Sequence, residues 1–154
     1  MDTAERTLRR AGRERRHAQF IGADNPGCAC GEWRTLSFDK TGEGRICANC
    51  HTYDRLPNHH AEIEAERAAY LRRLEFHELS CVCCSERRVL CLETDHTAGR
   101  ARAPYLRLLC KNCHRVRTDR QQYEHSVDRP PSAIDVDEAV RLGEADILEI
   151  RAEW

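Results

Sequence analysis

Apolar residues recur at helical spacing in the middle of the chain. Between positions 58 and 80 they fall roughly on one helical face, at Ile63, Ala68, Leu71, Leu74 and Leu79. Asn58 stands where an N-cap residue is expected, because its side chain can accept a backbone N–H of the first turn. The pattern therefore predicts a helix from Asn58 to Ser80.

A second helical pattern follows the break at Pro130-Pro131. Asp135 is followed three residues later by Glu138, a variant of the capping box that begins many helices. The apolar positions after this start are Val136, Val140, Ile147 and Ile150. We expect a helix from about Asp135, with an apolar face that packs on the core or on a partner.

Two short apolar runs between these helices predict strands. Residues 88–94 form the first run, which ends at Asp95-His96, and residues 106–109 form the second, which leads into Cys110. The helix after the second run is predicted to extend from near Asn112 to about Tyr123.

Composition limits the core that this chain can build. Aromatic residues are 6% and charged residues 33% of 154 residues, so few large apolar side chains are available for a core. The ten cysteines are therefore the candidates for additional cross-links. The first residues have no apolar stretch typical of a secretion signal, and no apolar run is long enough to span a membrane. We therefore expect a cytoplasmic protein, in which paired cysteines bind zinc rather than form disulfides.

The net charge of −1 hides a strong asymmetry. Segment 1–20 has six Arg and three acidic residues, and residues 2–20 are predicted as a basic helix or an unstructured arm. Segment 97–120 has seven basic residues and one acid, which suits a phosphate backbone. Segment 131–154 has seven acids and two Arg. It is interpreted as a solvated helix, a partner surface, or an internal mimic that covers the basic face.

Eight cysteines fall into two quartets. Cys81-x-x-Cys84 and Cys110-x-x-Cys113 have the spacing with which two zinc knuckles form one tetrahedral site, and Cys83 is an alternative ligand. Cys91 is expected to be a buried apolar residue. The other quartet is Cys28, Cys30, Cys47 and Cys50, with His51, His59 and His60 as alternative ligands. The sequence thus predicts two structural zinc ions.

The first quartet resembles a GATA-type zinc finger over about residues 26–60. Trp33-Arg34 follows the first pair, and residues 46–53, Ile-Cys-Ala-Asn-Cys-His-Thr-Tyr, are similar to that family's second knuckle and its helix. The chain departs from the family at Cys28-x-Cys30 and at His51. The resemblance implies DNA binding, with Arg34, Arg45 and Arg55 as candidate contacts; a zinc ribbon that only supports its neighbour is the alternative.

The second quartet belongs to a segment that resembles zinc-binding HNH endonucleases over about residues 81–120. Leu92-Glu-Thr-Asp-His96 and Leu108-Leu-Cys-Lys-Asn-Cys-His114 match that family's motifs in order and register. The resemblance implies a ββα-metal module in which Asp95 and His114 bind a catalytic divalent cation, Mg²⁺ or Mn²⁺ or else Zn²⁺. His96 would be the general base, on the other side of the strand end from Asp95 because side chains alternate along a strand.

One departure from the HNH pattern bears on catalysis. The family's middle asparagine, which orients the catalytic histidine, is replaced by Tyr105. The loss of such an orienting side chain typically costs about 10–100-fold. Tyr105 or a backbone carbonyl can take over this role, or the chain can be a descendant that only binds.

These observations predict a small α+β zinc-stabilised protein. Its parts are a basic N-terminal helix or arm (1–25), a GATA-like finger (26–60), a linking helix with the HNH-like module (61–128) and an acidic C-terminal helix (129–154). The predicted function is a metal-dependent DNA endonuclease or nickase; a non-enzymatic DNA-binding or regulatory zinc protein is the alternative. Beyond DNA, the acidic helix is a candidate surface for a protein partner. Candidate DNA contacts in the second module are Arg100, Arg102, Arg107, Arg115 and Arg117.

Overall fold

A computed structural model describes residues 3–21, 28–32, 34, 37–38, 46–55, 60–98, 105–123 and 135–154. These parts form a small mixed α+β structure with five α-helices and two strands. In chain order they are α1 (Thr3–Ile21), α2 (Ala48–Asp54), α3 (His60–Arg73), β1 (Leu92–His96), β2 (Leu106–Cys110), α4 (Lys111–Tyr123) and α5 (Val136–Ala152). None of the helices in the described residues is long and apolar enough to cross a membrane.

The two strands form an antiparallel pair in which Leu92 lies opposite Cys110 and His96 opposite Leu106. The predicted strand over 88–94 was placed too early, because Val89–Cys91 form a 3₁₀ turn and the strand continues through Asp95-His96. The second strand leads without a loop into α4, as expected. Asp95 therefore lies within the sheet and close to the first turn of α4.

Helix α3 is shorter than the apolar pattern predicted. It ends at Arg73, and Glu75 has a φ of 67°, a left-handed conformation that stops a helix. The N–H of Phe76 then bonds back to the carbonyl of Leu71 at 3.2 Å. The predicted N-cap, Asn58, lies outside the described residues.

Helix α5 begins as its capping pattern predicted, since the Asp135 side chain accepts the backbone N–H of Glu138 at 2.8 Å. Ile147 and Ile150 are buried in the main core, whereas Val136 is exposed. Gly143 lies against the turn that follows β1: a Cβ there would overlap the carbonyl oxygen of Thr97. This close approach brings α5 beside the end of β1 and beside α4.

Most of the core lies between the sheet, α3, α4 and α5. Its fully buried apolar members include Leu71, Leu92, Leu108, Leu109, Val116, Ile147 and Ile150, together with cysteines of the second quartet. A smaller cluster surrounds Phe38 with cysteines of the first quartet. The buried apolar side chains of the described residues are thus concentrated around the cysteines.

Candidate functional site

The cysteines of the second quartet converge as their spacing predicted. Cys81, Cys84, Cys110 and Cys113 bring their sulfurs within 4.8 Å of one another, and three of the four residues are buried. Cys83 is outside this group and points its thiol at the carbonyl of Ile147, 3.7 Å away. Hydrogen bonds from Cys110 and Cys113 lower the pKa of Cys81, whereas those same neighbours raise the pKa of Cys84.

The first quartet converges in the same way. Cys28, Cys30, Cys47 and Cys50 lie within 4.8 Å of one another, so the tighter Cys-x-Cys pair does not prevent closure. His51 and His60, the alternative ligands, are not part of this group, and His60 stacks on Tyr53 instead. His59, the third alternative, lies outside the described residues.

Sulfur spacing distinguishes a metal site from a disulfide. Cys30 and Cys47 have sulfurs 3.5 Å apart, and Cys84 and Cys110 have sulfurs 3.6 Å apart. A disulfide requires about 2.05 Å. Four sulfurs at about 2.3 Å from a tetrahedral zinc lie about 3.8 Å from one another. All ten cysteines are free of disulfides, so both quartets fit structural zinc ions.

A second constellation lies where β1 and α4 meet. The His114 ring, on the first turn of α4, stands between two carboxylates of β1. Its Nδ1 donates to Oε2 of Glu93 at 2.6 Å, and its Nε2 lies 3.6 Å from Oδ1 of Asp95. Glu93 and Asp95 are two residues apart on one strand and therefore share a face.

The electrostatics of this constellation are set by burial and pairing. The hydrogen bond to Glu93 raises the pKa of His114. Burial tends to raise the pKa of Glu93, but its bond with His114 outweighs this and the pKa is lowered. Burial raises the pKa of Asp95, and Arg117 only partly opposes it. An ionised Glu93 can only accept hydrogen bonds, so Nδ1 of His114 is the donor in this pair; when the ring is neutral, Nε2 is the nitrogen without a proton.

Asp95 has an incompletely satisfied carboxylate. Its Oδ2 is buried without a hydrogen-bond partner and lies 4.0 Å from Nε of Arg117, an atom that is itself buried and unbonded. Buried polar atoms normally find a partner. The other carboxylate oxygen, Oδ1, lies beside Nε2 of His114, and a carboxylate next to an imidazole is a donor pair that suits a divalent cation. A cation held by these two side chains alone would have other coordination positions open.

His96 is partly buried next to this pair and influences the pKa of Asp95. Tyr105, which the HNH resemblance places in the position of that family's asparagine, is half exposed. Its carbonyl accepts the N–H of Thr97 at 3.0 Å, which extends the strand pairing by one rung. Tyr105 therefore anchors the turn after His96 through its backbone.

The predicted DNA contacts differ in accessibility. Arg55 is exposed, Arg107 is about half exposed and Arg115 is partly buried, with its Nη1 donating to the carbonyl of Phe38 at 2.9 Å. Arg34 and Arg117 are buried and ion-paired, so neither guanidinium faces solvent. The remaining candidates, Arg45, Arg100 and Arg102, lie outside the described residues.

Helix α5 covers much of the basic segment of α4 and β2. Arg107 pairs with Glu144 at 2.9 Å and Arg117 with Asp146 at 2.8 Å. Arg120 pairs with both Glu149 and Glu153, at 2.9 and 2.5 Å. Glu153 also accepts from Arg10 of α1 at 2.7 Å. These pairs match the interpretation of the acidic segment as an internal cover; binding of a partner protein to α5 stays a prediction.

Sequence reasoning missed two residues that complete the site. Glu93 lies between Leu92 and the Asp95-His96 pair, and the alternation of strand side chains already placed it on the face of Asp95. Asp146 carries no such local signal, because its pairing with Arg117 joins residues 29 positions apart. No protein-family model, curated protein or solved structure matches this chain.

Proposed function

We propose that the chain is a metal-dependent DNA endonuclease or nickase of the HNH type. The observation that carries this proposal is the approach of Asp95 and His114, a buried carboxylate and an imidazole 3.6 Å apart. They meet because β1 pairs with β2 and β2 leads directly into α4, an order of elements that is compatible with a ββα-metal module. The second cysteine quartet ties the end of β2 and the start of α4 to the preceding knuckle.

Each residue of the site has a distinct role in this proposal. Asp95 and His114 hold a divalent cation, Mg²⁺ or Mn²⁺ or else Zn²⁺. Such a cation, when bound, neutralises phosphate charge and makes bound water more acidic. His96 accepts the proton of the attacking water at an imidazole nitrogen. Glu93 keeps the proton of His114 on Nδ1, so Nε2 remains free to act as a ligand.

DNA docking would use the basic side chains that remain accessible. Arg55, in the segment that resembles a GATA-type finger, and Arg107 and Arg115, in the HNH-like segment, are the described candidates. Arg34 and Arg117 are not retained, because their guanidiniums are buried. Contacts with phosphates release counterions, so binding should weaken steeply as salt is raised.

A non-enzymatic DNA-binding or regulatory protein is the second candidate. Two observations favour it. The side chain of Tyr105 has no amide that could replace that of the HNH asparagine. Acidic residues of α5 also form ion pairs with Arg107, Arg117 and Arg120, which leaves these arginines less available to DNA. In this case both cysteine quartets serve as scaffolds for a binding surface.

Nicking of a supercoiled plasmid separates the two candidates. With Mg²⁺ or Mn²⁺ added, we expect the wild-type chain to convert supercoiled plasmid to the nicked or linear form. His96→Ala should slow this conversion by about 10²–10⁴-fold, since a general base typically contributes that much. His77→Ala is the matched control, because His77 is exposed and belongs to neither quartet nor the β1–α4 constellation.

Before this assay, weakly bound metal is removed by gel filtration and no strong chelator is used, so that zinc in the quartets is left in place. Mg²⁺ or Mn²⁺ is then added back at known concentrations. Equal nicking rates for the wild type and His96→Ala would contradict the endonuclease proposal. A nicking rate that does not depend on added metal would contradict it as well. DNA binding that persists without cleavage would then support the second candidate.

The role of Glu93 can be tested by metal binding alone. Glu93→Ala removes the acceptor of the His114 Nδ1–H and frees the ring to rotate or change tautomer. We expect Mn²⁺ affinity at this site to fall by about 10–100-fold, as is typical when a ligand loses its supporting hydrogen bond. Titration followed by Mn²⁺ electron paramagnetic resonance measures this, with Glu66→Ala on the exposed side of α3 as control. Unchanged Mn²⁺ affinity in Glu93→Ala would show that Glu93 does not support metal binding by His114.

A further inference from the structure

The two cysteine modules share more than their metal ligands. We define the first module as the described residues of 28–55 and the second as residues 81–123. Cys30-Gly-Glu-Trp-Arg34 in the first corresponds to Cys84-Ser-Glu-Arg-Arg88 in the second. Each module then has a Cys-x-Asn-Cys-His sequence, at 47–51 and at 110–114.

The backbone follows this correspondence. Gly31 and Ser85, which precede the two glutamates, both have positive φ, 92° and 59°. The first cysteine of each module donates its N–H to the carbonyl of the module's glutamate, at 2.9 Å in both cases. Four residues after each arginine a bridge forms to the second knuckle, Phe38 to Cys47 and Leu92 to Cys110.

The modules contact each other reciprocally through this shared pattern. The N–H of Asn49 donates to Oδ1 of Asn112 at 3.1 Å, and the N–H of Asn112 donates to Oδ1 of Asn49 at 3.2 Å. Ser37 donates to the carbonyl of Asn112 at 3.5 Å, and its counterpart Cys91 donates to the carbonyl of Asn49 at 3.3 Å. Such exchange of equivalent contacts is the mark of a twofold arrangement, here within one chain.

The two arginines cross this interface to the opposite quartet. Arg34 of the first module donates from Nη2 to Sγ of Cys113 at 3.4 Å. Arg88 of the second donates from Nη1 to Sγ of Cys50 at 3.8 Å. Each arginine is held in place by the glutamate two residues before it, through two guanidinium nitrogens.

Aromatic rings complete both arrangements. The guanidinium of Arg34 lies over the Trp154 ring at 4.6 Å, and that of Arg88 lies over the Tyr53 ring at 5.4 Å. A glutamate on one edge and a ring on one face leave each guanidinium little freedom to turn away from its sulfur.

These donors matter because a zinc ion with four thiolates carries a formal charge of roughly −2. Partial burial makes that charge unfavourable unless nearby donors and cations compensate it. Arg34 and Arg88 supply this compensation at one sulfur of each quartet, and each supplies it to the module to which it does not belong. The outer shell of each metal site is therefore complete only when the other module is folded.

We propose that the two quartets form one linked pair of metal sites, in which Arg88 supports metal retention by the first quartet and Arg34 supports it by the second. Metal loss at one quartet unfolds the module that carries the arginine of the other and so weakens the other site. This proposal rests on zinc at both quartets and not on nuclease activity, so a negative nicking assay leaves it intact.

The test identifies which cysteines lose metal first. The zinc-loaded full chain is exposed to limiting chelator, freed thiols are trapped with iodoacetamide, and the modified cysteines are mapped by peptide mass spectrometry. For Arg88→Gln we expect zinc affinity at the far quartet to fall by about 10–100-fold. Cysteines 28, 30, 47 and 50 should thus be modified at a lower chelator concentration than in the wild type, although the substitution lies in the second module. Arg34→Gln should have the same effect on Cys81, Cys84, Cys110 and Cys113.

Arg87→Gln is the matched control, because Arg87 is exposed and adjacent to Arg88, and it should keep the wild-type order. A shift to lower chelator concentration that is confined to Cys81, Cys84, Cys110 and Cys113 in Arg88→Gln would overturn the proposal, because the effect would then be local. Modification of Cys28, Cys30, Cys47 and Cys50 at the same chelator concentration in Arg88→Gln as in the wild type would overturn it as well, because Arg88 would then not support the first quartet. If Arg88→Gln does not fold, Arg88→Lys carries the same test with the charge retained.

Discussion

Removal of zinc under reducing conditions is expected to unfold the chain. Structural zinc contributes about 10–16 kcal/mol of apparent binding free energy in zinc-finger peptides at pH 7, whereas whole domains are stable by about 5–15 kcal/mol. The core of this chain is built around its cysteines, and few apolar residues remain to hold it without metal. Far-ultraviolet circular dichroism should show loss of helix on addition of a strong chelator and recovery on addition of zinc.

Two serine substitutions sharpen this expectation. Cys113→Ser removes a ligand and should abolish the cooperative thermal transition of the zinc-loaded chain. Cys91→Ser should retain it, because Cys91 is equally buried but outside both quartets, and a serine hydroxyl can still donate to the carbonyl of Asn49. A chelated chain that keeps its helical spectrum and melts cooperatively would contradict a metal-dependent fold.

Replacement of Arg117 should be the most destabilising single change outside the quartets. Its guanidinium bonds to Asp146 at 2.8 Å and to the carbonyl of Thr97 at 3.2 Å, and its Nε lies 4.0 Å from Oδ2 of Asp95. Arg117→Met leaves two buried carboxylates without this counterion. Breaking a buried ion pair in this way costs about 3–5 kcal/mol, measurable as a lower free energy of unfolding in urea.

Arg107→Met provides the comparison, since Arg107 pairs with Glu144 at the surface and should cost at most about 1 kcal/mol. If Arg117 were primarily a DNA contact, its substitution would instead lower DNA affinity at unchanged stability. Equal unfolding free energies for Arg117→Met and the wild type would contradict the buried role of this residue.

Local sequence patterns predicted the parts of the fold that depend on neighbours in the chain. The start of α5 is encoded by Asp135 and Glu138, and the convergence of each knuckle by cysteines two or three residues apart. The end of α3 was not predictable from its apolar residues, because a left-handed Glu75 overrides a pattern that continues to Leu79.

The contacts between distant segments could not be predicted from the sequence. Arg34 was predicted as a DNA contact from the resemblance to a GATA-type finger, and Arg117 from the charge counted along segment 97–120. Neither argument shows which acids meet these arginines in space. Glu32 and Asp146 neutralise them in the interior. The repeat of cysteines was visible in the sequence, but the reciprocal bonds between Asn49 and Asn112 require the three-dimensional arrangement.

Gly143 shows how this packing limits the mutational freedom of α5. Glycine within a helix is about 1 kcal/mol less favourable than alanine, so alanine would ordinarily be an improvement there. A methyl group at this position would collide with the backbone of Thr97 and crowd Arg117, and neither can withdraw without disturbing the end of β1. Alanine is therefore excluded at position 143, although helix propensity favours it. The substitutions that α5 tolerates here depend on the backbone of Thr97, at the end of β1, as well as on helix propensity.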